Sequence, residues 1–86
     1  MNTLHDAIAL LENGDWKAAH TIVQADNSAT SAWAHGIVHM LEGDVKNAGY
    51  WYGRAGRELK VDTQIDDEIA TLKASIANDA ESSSVY

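Results

Sequence analysis

The chain has no cysteine, no proline and no phenylalanine, and its basic residues are few: six lysines and arginines against thirteen aspartates and glutamates in 86 residues. Each scarcity narrows what the molecule can be. Without cysteine there are no disulfides, no thiolate nucleophile and no cysteine-based zinc site. Without proline or runs of β-branched residues, only glycine interrupts a helix, and segments rich in Ala, Leu, Ile, Glu, Asp and Lys point to an all-α fold. The formal charge of −7 opposes a phosphate backbone and no basic stripe offsets it, so nucleic acid is not an expected partner. No apolar run approaches the roughly 18 residues of a membrane span, and the start of the chain carries Asp6 where a secretory leader would carry positive charge. The expectation is a cytosolic protein with no membrane partner.

Apolar residues make up 45% of the chain, and Trp16, Trp33, Trp51, Tyr50 and Tyr52 supply large burial from few positions. A chain of this length buries only ~60% of its unfolded surface, enough for one modest core. Residues 1–80 read as a single domain and 81–86, without periodicity, as a flexible tail.

Helical periodicity divides the chain into five segments. Leu4, Ala7, Ile8 and Leu11 share one face of the first, which Gly14 closes. Asp15 can cap the second, whose stripe is Trp16, Ala19, Ile22 and Val23. The third runs from about Ser28 to Glu42. Gly43-Asp44 repeats the Gly14-Asp15 corner, and the fourth segment, to about Leu59, carries Val45, Ala48, Trp51, Tyr52 and Ala55 on one side, with Gly53 and Gly56 weakening it. Asp62 or Thr63 can cap the fifth, where Ile65, Ile69, Leu72 and Ile76 follow 4-3-4 spacing.

Overlaying the corners aligns residues 14–19 with 43–48 as an internal repeat. Trp33, Gly36, Gly43-Asp44, Ala48, Tyr52 and Ala55 resemble a tetratricopeptide unit, and the resemblance implies two stacked helical hairpins with the fifth helix as a cap. Trp33 stands one place from that family's aromatic position, and the first unit has Val23 where the second has Tyr52. The stretch from Trp33 to Arg57 also resembles a set of small bacterial proteins sharing Trp-x-His, His-x-x-Glu-Gly-Asp, Asn-Ala and Tyr-Trp-Tyr-x-Arg-Ala-Gly, and that likeness implies no activity.

Spacing of four and then three puts His35, His39 and Glu42 within about 60° on one side of the third helix. Such a trio suits a divalent metal, although the same histidines also suit packing or a wet face, and spacing leaves open whether Glu42 or His20 would be the third ligand. That side lies opposite Trp33, Ile37, Met40 and Leu41, so either the helix is contacted from two directions or the imidazoles meet water. Lys46, Tyr50, Arg54 and Arg57 gather on the fourth helix, where the arginines could grip a carboxylate or phosphate. The acids Asp62, Asp66, Asp67, Glu68, Asp79 and Glu81 would let the fifth helix lie beside the fourth by charge. Nothing pairs a nucleophile with a base or forms a phosphate-cradling loop; Asp66-Asp67-Glu68 reads as a first-turn bias, and no enzyme is expected.

The leading expectation is a helical interaction module that self-associates, as a dimer, through Trp33, Ile37, Met40, Tyr50, Arg54, Arg57, Ile69 and Leu72. The alternative is a small anionic-ligand or metal binder using His35, His39 and Glu42, with no cofactor beyond that ion.

Overall fold

The computed structural model of the chain describes residues 3–84. They form five helices and no strand: α1 (Leu4–Glu12), α2 (Trp16–Val23), α3 (Ala29–Glu42), α4 (Val45–Arg54) and α5 (Ile65–Ser84). The all-α reading holds.

Side chains begin the helices where their amides lack partners. Thr3 and Asp6 form a reciprocal capping box on α1, while Asp15, Ser28 and Asp44 accept from Ala18, Ser31 and Asn47 at the starts of α2, α3 and α4. The two Gly-Asp corners are the same object. Gly14 and Gly43 have φ of +78° and +91°, and the amides of Asp15 and Asp44 reach back to the carbonyls of Leu10 and His39, both at 2.8 Å. Such left-handed corners favour glycine because it has no Cβ. Gly56, with φ of +73°, makes a third corner, in which Arg57 N bonds Tyr52 O at 2.9 Å. Helix four therefore stops at Arg54, where the sequence suggested continuation to Leu59.

The α1–α2 hairpin packs onto the α3–α4 hairpin through α2 and α1 against α3. Every residue from Ser31 to Val38 is buried, so α3 is the central element, enclosed on all sides along two turns. It meets α4 closely at Gly36. A Cβ there would collide with the Tyr52 ring, lying 2.7 Å from Cε1, and would press on the Ala48 carbonyl oxygen at 3.2 Å.

The fifth helix lies across α1 and α3, not along α4 as charge complementarity had suggested. Its Ile69 and Leu72 enter the core with Leu11, Trp33 and Ile37. Apolar burial decided its seat, while Asp66 and Asp67 stay exposed and Glu68 turns inward. That carboxylate accepts from Trp33 Nε1 at 3.2 Å and from the Tyr52 hydroxyl at 2.6 Å, tying α5 to α3 and α4. Lys73 adds an exposed ion pair to Glu12 of α1 at 3.2 Å. The helix continues through Ser84, past residue 80 where the tail was expected; Val85 and Tyr86 lie outside the described residues.

Two further expectations need correction. Val45 is 67% exposed, outside the apolar stripe of α4, and Trp51 turns away from the core cluster toward the histidines of α3.

Candidate metal centre

The α2–α3 seam is registered by one buried hydrogen bond. Ser31 Oγ donates to the Val23 carbonyl at 3.0 Å, joining the last turn of α2 to the first turn of α3. From that tie the helices run antiparallel, and one turn along each sets His20 against His35. The next turn of α3 brings His39 to the same place. A short connection, in which Asp26 accepts from Ser28 N at 2.9 Å, holds the approach.

Three imidazoles from two helices thus converge. Ring centroids lie 4.7 Å apart for His20–His35, 5.6 Å for His20–His39 and 5.0 Å for His35–His39. One ring nitrogen from each falls within 4.8 Å of the others. Tetrahedral bonds of about 2.05 Å place ligand nitrogens about 3.3 Å apart, so side-chain rotations worth about an ångström would close the group on an ion.

The surroundings leave these rings able to act as ligands. Trp51 of α4 stacks on His35 at 3.8 Å, nearly parallel, and the Arg54 guanidinium lies over the Trp51 ring, 5.1 Å from its centroid. Only 5% of His35 is exposed. Burial, followed by the neighbouring His20, His39 and Arg54 charges, lowers its pKa from 6.5 to about 4, so the ring is neutral near pH 7 and keeps a lone pair. Among the described residues, neither His20 nor His35 has a side-chain hydrogen-bond partner. His39 differs: its Nδ1 meets Glu42 Oε1 at 2.8 Å, which leaves Nε2 as the donor atom. A carboxylate behind a ligating imidazole fixes its orientation and raises its basicity.

Glu42 therefore stands behind the cluster more naturally than in it. His39, Glu42 and Asp44 form a second group with ligand atoms within 4.8 Å of one another, yet its carboxylates are engaged. Asp44 caps α4, and its oxygens accept from Asn47 N at 3.2 Å and Asn47 Nδ2 at 2.8 Å, which hold its carboxyl below the usual range. A depression of about 240 Å³ opens beside His20 and His39, walled by Trp16, Lys17, Val38 and Glu42.

The residues expected to meet a partner separate into two sets. Trp33, Ile37, Ile69 and Leu72 are core residues of this chain, and Met40 packs partly buried against them. Tyr50, Arg54 and Arg57 are exposed, but the arginines do not form a clamp, since each lies over its own indole: Arg54 over Trp51, and Arg57 over Trp33 at 3.6 Å. Sequence reasoning did not find the stacking role of Trp51 or the double acceptance by Glu68. Both depend on how neighbouring helices rotate, which one-dimensional spacing does not encode.

No helix of the described residues is long and apolar enough to cross a membrane. No family model, curated protein or solved structure matches this chain.

Proposed function

We propose that this protein binds a divalent transition-metal ion through His20, His35 and His39, with Glu42 orienting His39. The observation that carries the reading is the convergence of three imidazoles from two helices, two of them without hydrogen-bond partners among the described residues. No side-chain nitrogen or oxygen among the described residues is both fully buried and unpartnered, so the unpaired His20 and His35 nitrogens reach solvent and are open to an ion. Imidazole is a borderline donor that suits zinc, copper, nickel and cobalt, whereas calcium and magnesium prefer oxygen.

Self-association, the leading expectation from the sequence, draws less support from the packing than metal binding does. The apolar surplus of α3 and α5 that would have sought a second copy is satisfied within one chain, with α5 seated over α1 and α3.

Calorimetric titration of the chelator-stripped protein with zinc, nickel and copper tests the metal reading. We expect one equivalent to bind. His20→Ala, which removes a partly exposed ring, should weaken it by about a hundredfold or more with the helical circular dichroism unchanged, and Glu42→Gln by about tenfold through the loss of orientation. Absence of heat with all three ions would discard the proposal.

A further inference from the structure

The three histidines leave one position of a four-coordinate ion unfilled, and the surroundings decide which way it faces. Trp51 closes the His35 side by stacking at 3.8 Å. The nearby carboxylates are already committed, Glu42 to His39 Nδ1 at 2.8 Å and Asp44 to Asn47 at 3.2 and 2.8 Å. What remains is the side of His20 and His39, where the depression of about 240 Å³ opens between Trp16, Lys17, Val38 and Glu42. This is room for a ligand of a few heavy atoms.

We infer that the ion keeps an exchangeable fourth position facing this depression, and that the position takes a small carboxylate, with Lys17 at the rim favouring the anion. The inference rests on the metal reading above. A site with three protein ligands retains water or an exogenous donor in its fourth place, whereas a purely structural zinc site supplies all four ligands itself. Lys17 Nζ lies 5.7 Å from the centroid of the Trp16 ring, so the ammonium stands on the same wall as the opening. The dication and Lys17 together carry three positive charges against the two negative ones of Glu42 and Asp44, the first turned toward His39 and the second committed to Asn47. A carboxylate is an oxygen donor that neutralises part of that charge, and a small one fits the space without moving either helix.

Cobalt(II) reports both steps, because its visible absorption bands appear on binding and move when the fourth ligand changes. The stripped protein is loaded with cobalt and then titrated with acetate, with azide as a second small anion. Bands that shift saturably with acetate, and a Lys17→Gln variant that binds acetate about fivefold more weakly at matched cobalt occupancy, are the expected results. Cobalt bands that neither anion moves would overturn the open position while leaving the metal reading intact. Equal acetate affinity in Lys17→Gln would remove Lys17 and the preference for anions. A protein that develops no cobalt bands would sink this inference together with the reading on which it rests.

Discussion

Helix α3 carries two ionisable, aromatic-walled seams on different sides, and they are built to opposite ends. Toward α5, Glu68 accepts from Trp33 and Tyr52 while Arg57 lies over the same indole, so donors and acceptor are matched. Toward α2, His20 and His35 meet edge to face, Trp51 covers one side, and the ring nitrogens keep unused lone pairs. The first seam resembles a finished joint whose polar atoms are consumed in holding helices together. The second keeps ring nitrogens that bond no other side chain and still reach solvent, and the proposed metal binding draws on that capacity. A charged or aromatic cluster is informative about function only after its hydrogen bonds have been accounted for.

The comparison can be broken most severely at the point the seams share. Gly36 lets α4 approach α3 closely enough to deliver Trp51 to one side and Tyr52 to the other, and a β-branched side chain there would meet the Tyr52 ring and the Ala48 carbonyl. Gly36→Val should cost about 3 kcal/mol in urea unfolding and should weaken zinc binding as well, since both seams depend on that approach. A wild-type unfolding midpoint would show that α4 can shift without loss, and that the close approach is incidental.

The second test separates the seams. Glu68→Ala leaves the Trp33 indole and the Tyr52 hydroxyl, both on buried residues, without their acceptor and should cost about 2 kcal/mol. Glu68→Gln retains an acceptor oxygen and should cost less. Neither should change zinc affinity by more than about twofold, because the histidine cluster lies on the other side of α3. Thermal melts and calorimetry on the same preparations check both halves, and a large loss of zinc affinity in Glu68→Ala would mean the seams are coupled.

How far these features could be read in advance varies with how local their causes are. The Gly14 and Gly43 corners, the Asp15 cap with its Asp44 counterpart and the isoleucine-leucine stripe of α5 were legible, because each is decided within a few residues. Gly56 was legible as a weak point but not as a stop; its left-handed conformation depends on the chain turning away toward α5. The His35–His39 pair was visible from helical spacing, and the choice offered there resolves toward contact from two directions for His35. His20 was named only as an option, since its arrival requires the Ser31–Val23 tie that sets the register of α2 against α3. Trp51 was assigned to the apolar stripe because tryptophan beside Ala48 and Tyr52 suggests core. A ring that stacks on a neutral imidazole instead has no signature in the chain itself. Spacing left open whether Glu42 or His20 completes the set; the contact of Glu42 Oε1 with His39 Nδ1 at 2.8 Å depends on rotamers that spacing does not encode, and it is the reason for the orienting role proposed for Glu42.

The smallest expected effect touches only the histidine seam. The pKa of His35 falls from 6.5 to about 4 on folding, chiefly because burial penalises the imidazolium and then because His20, His39 and Arg54 add like charge. A base with a lowered folded value binds its proton more readily when unfolded. Between pH 6.5 and about 4 the unfolded chain therefore takes up a proton that the folded chain refuses, and stability falls as the pH drops through that window. Above 6.5 the group contributes no slope. Allowing for screening of a ring that water partly reaches, the loss across the window is about 1 kcal/mol. Carboxylates titrate in the same range, so the measurement is a difference: urea unfolding of chelator-stripped wild type and His35→Gln at pH 7, 5.5 and 4.5. Wild type should lose about 1 kcal/mol more than the variant over that range. Parallel pH profiles would mean that the His35 ring meets enough water to titrate normally, and the contrast between a satisfied seam and an unsatisfied one would lose its electrostatic half.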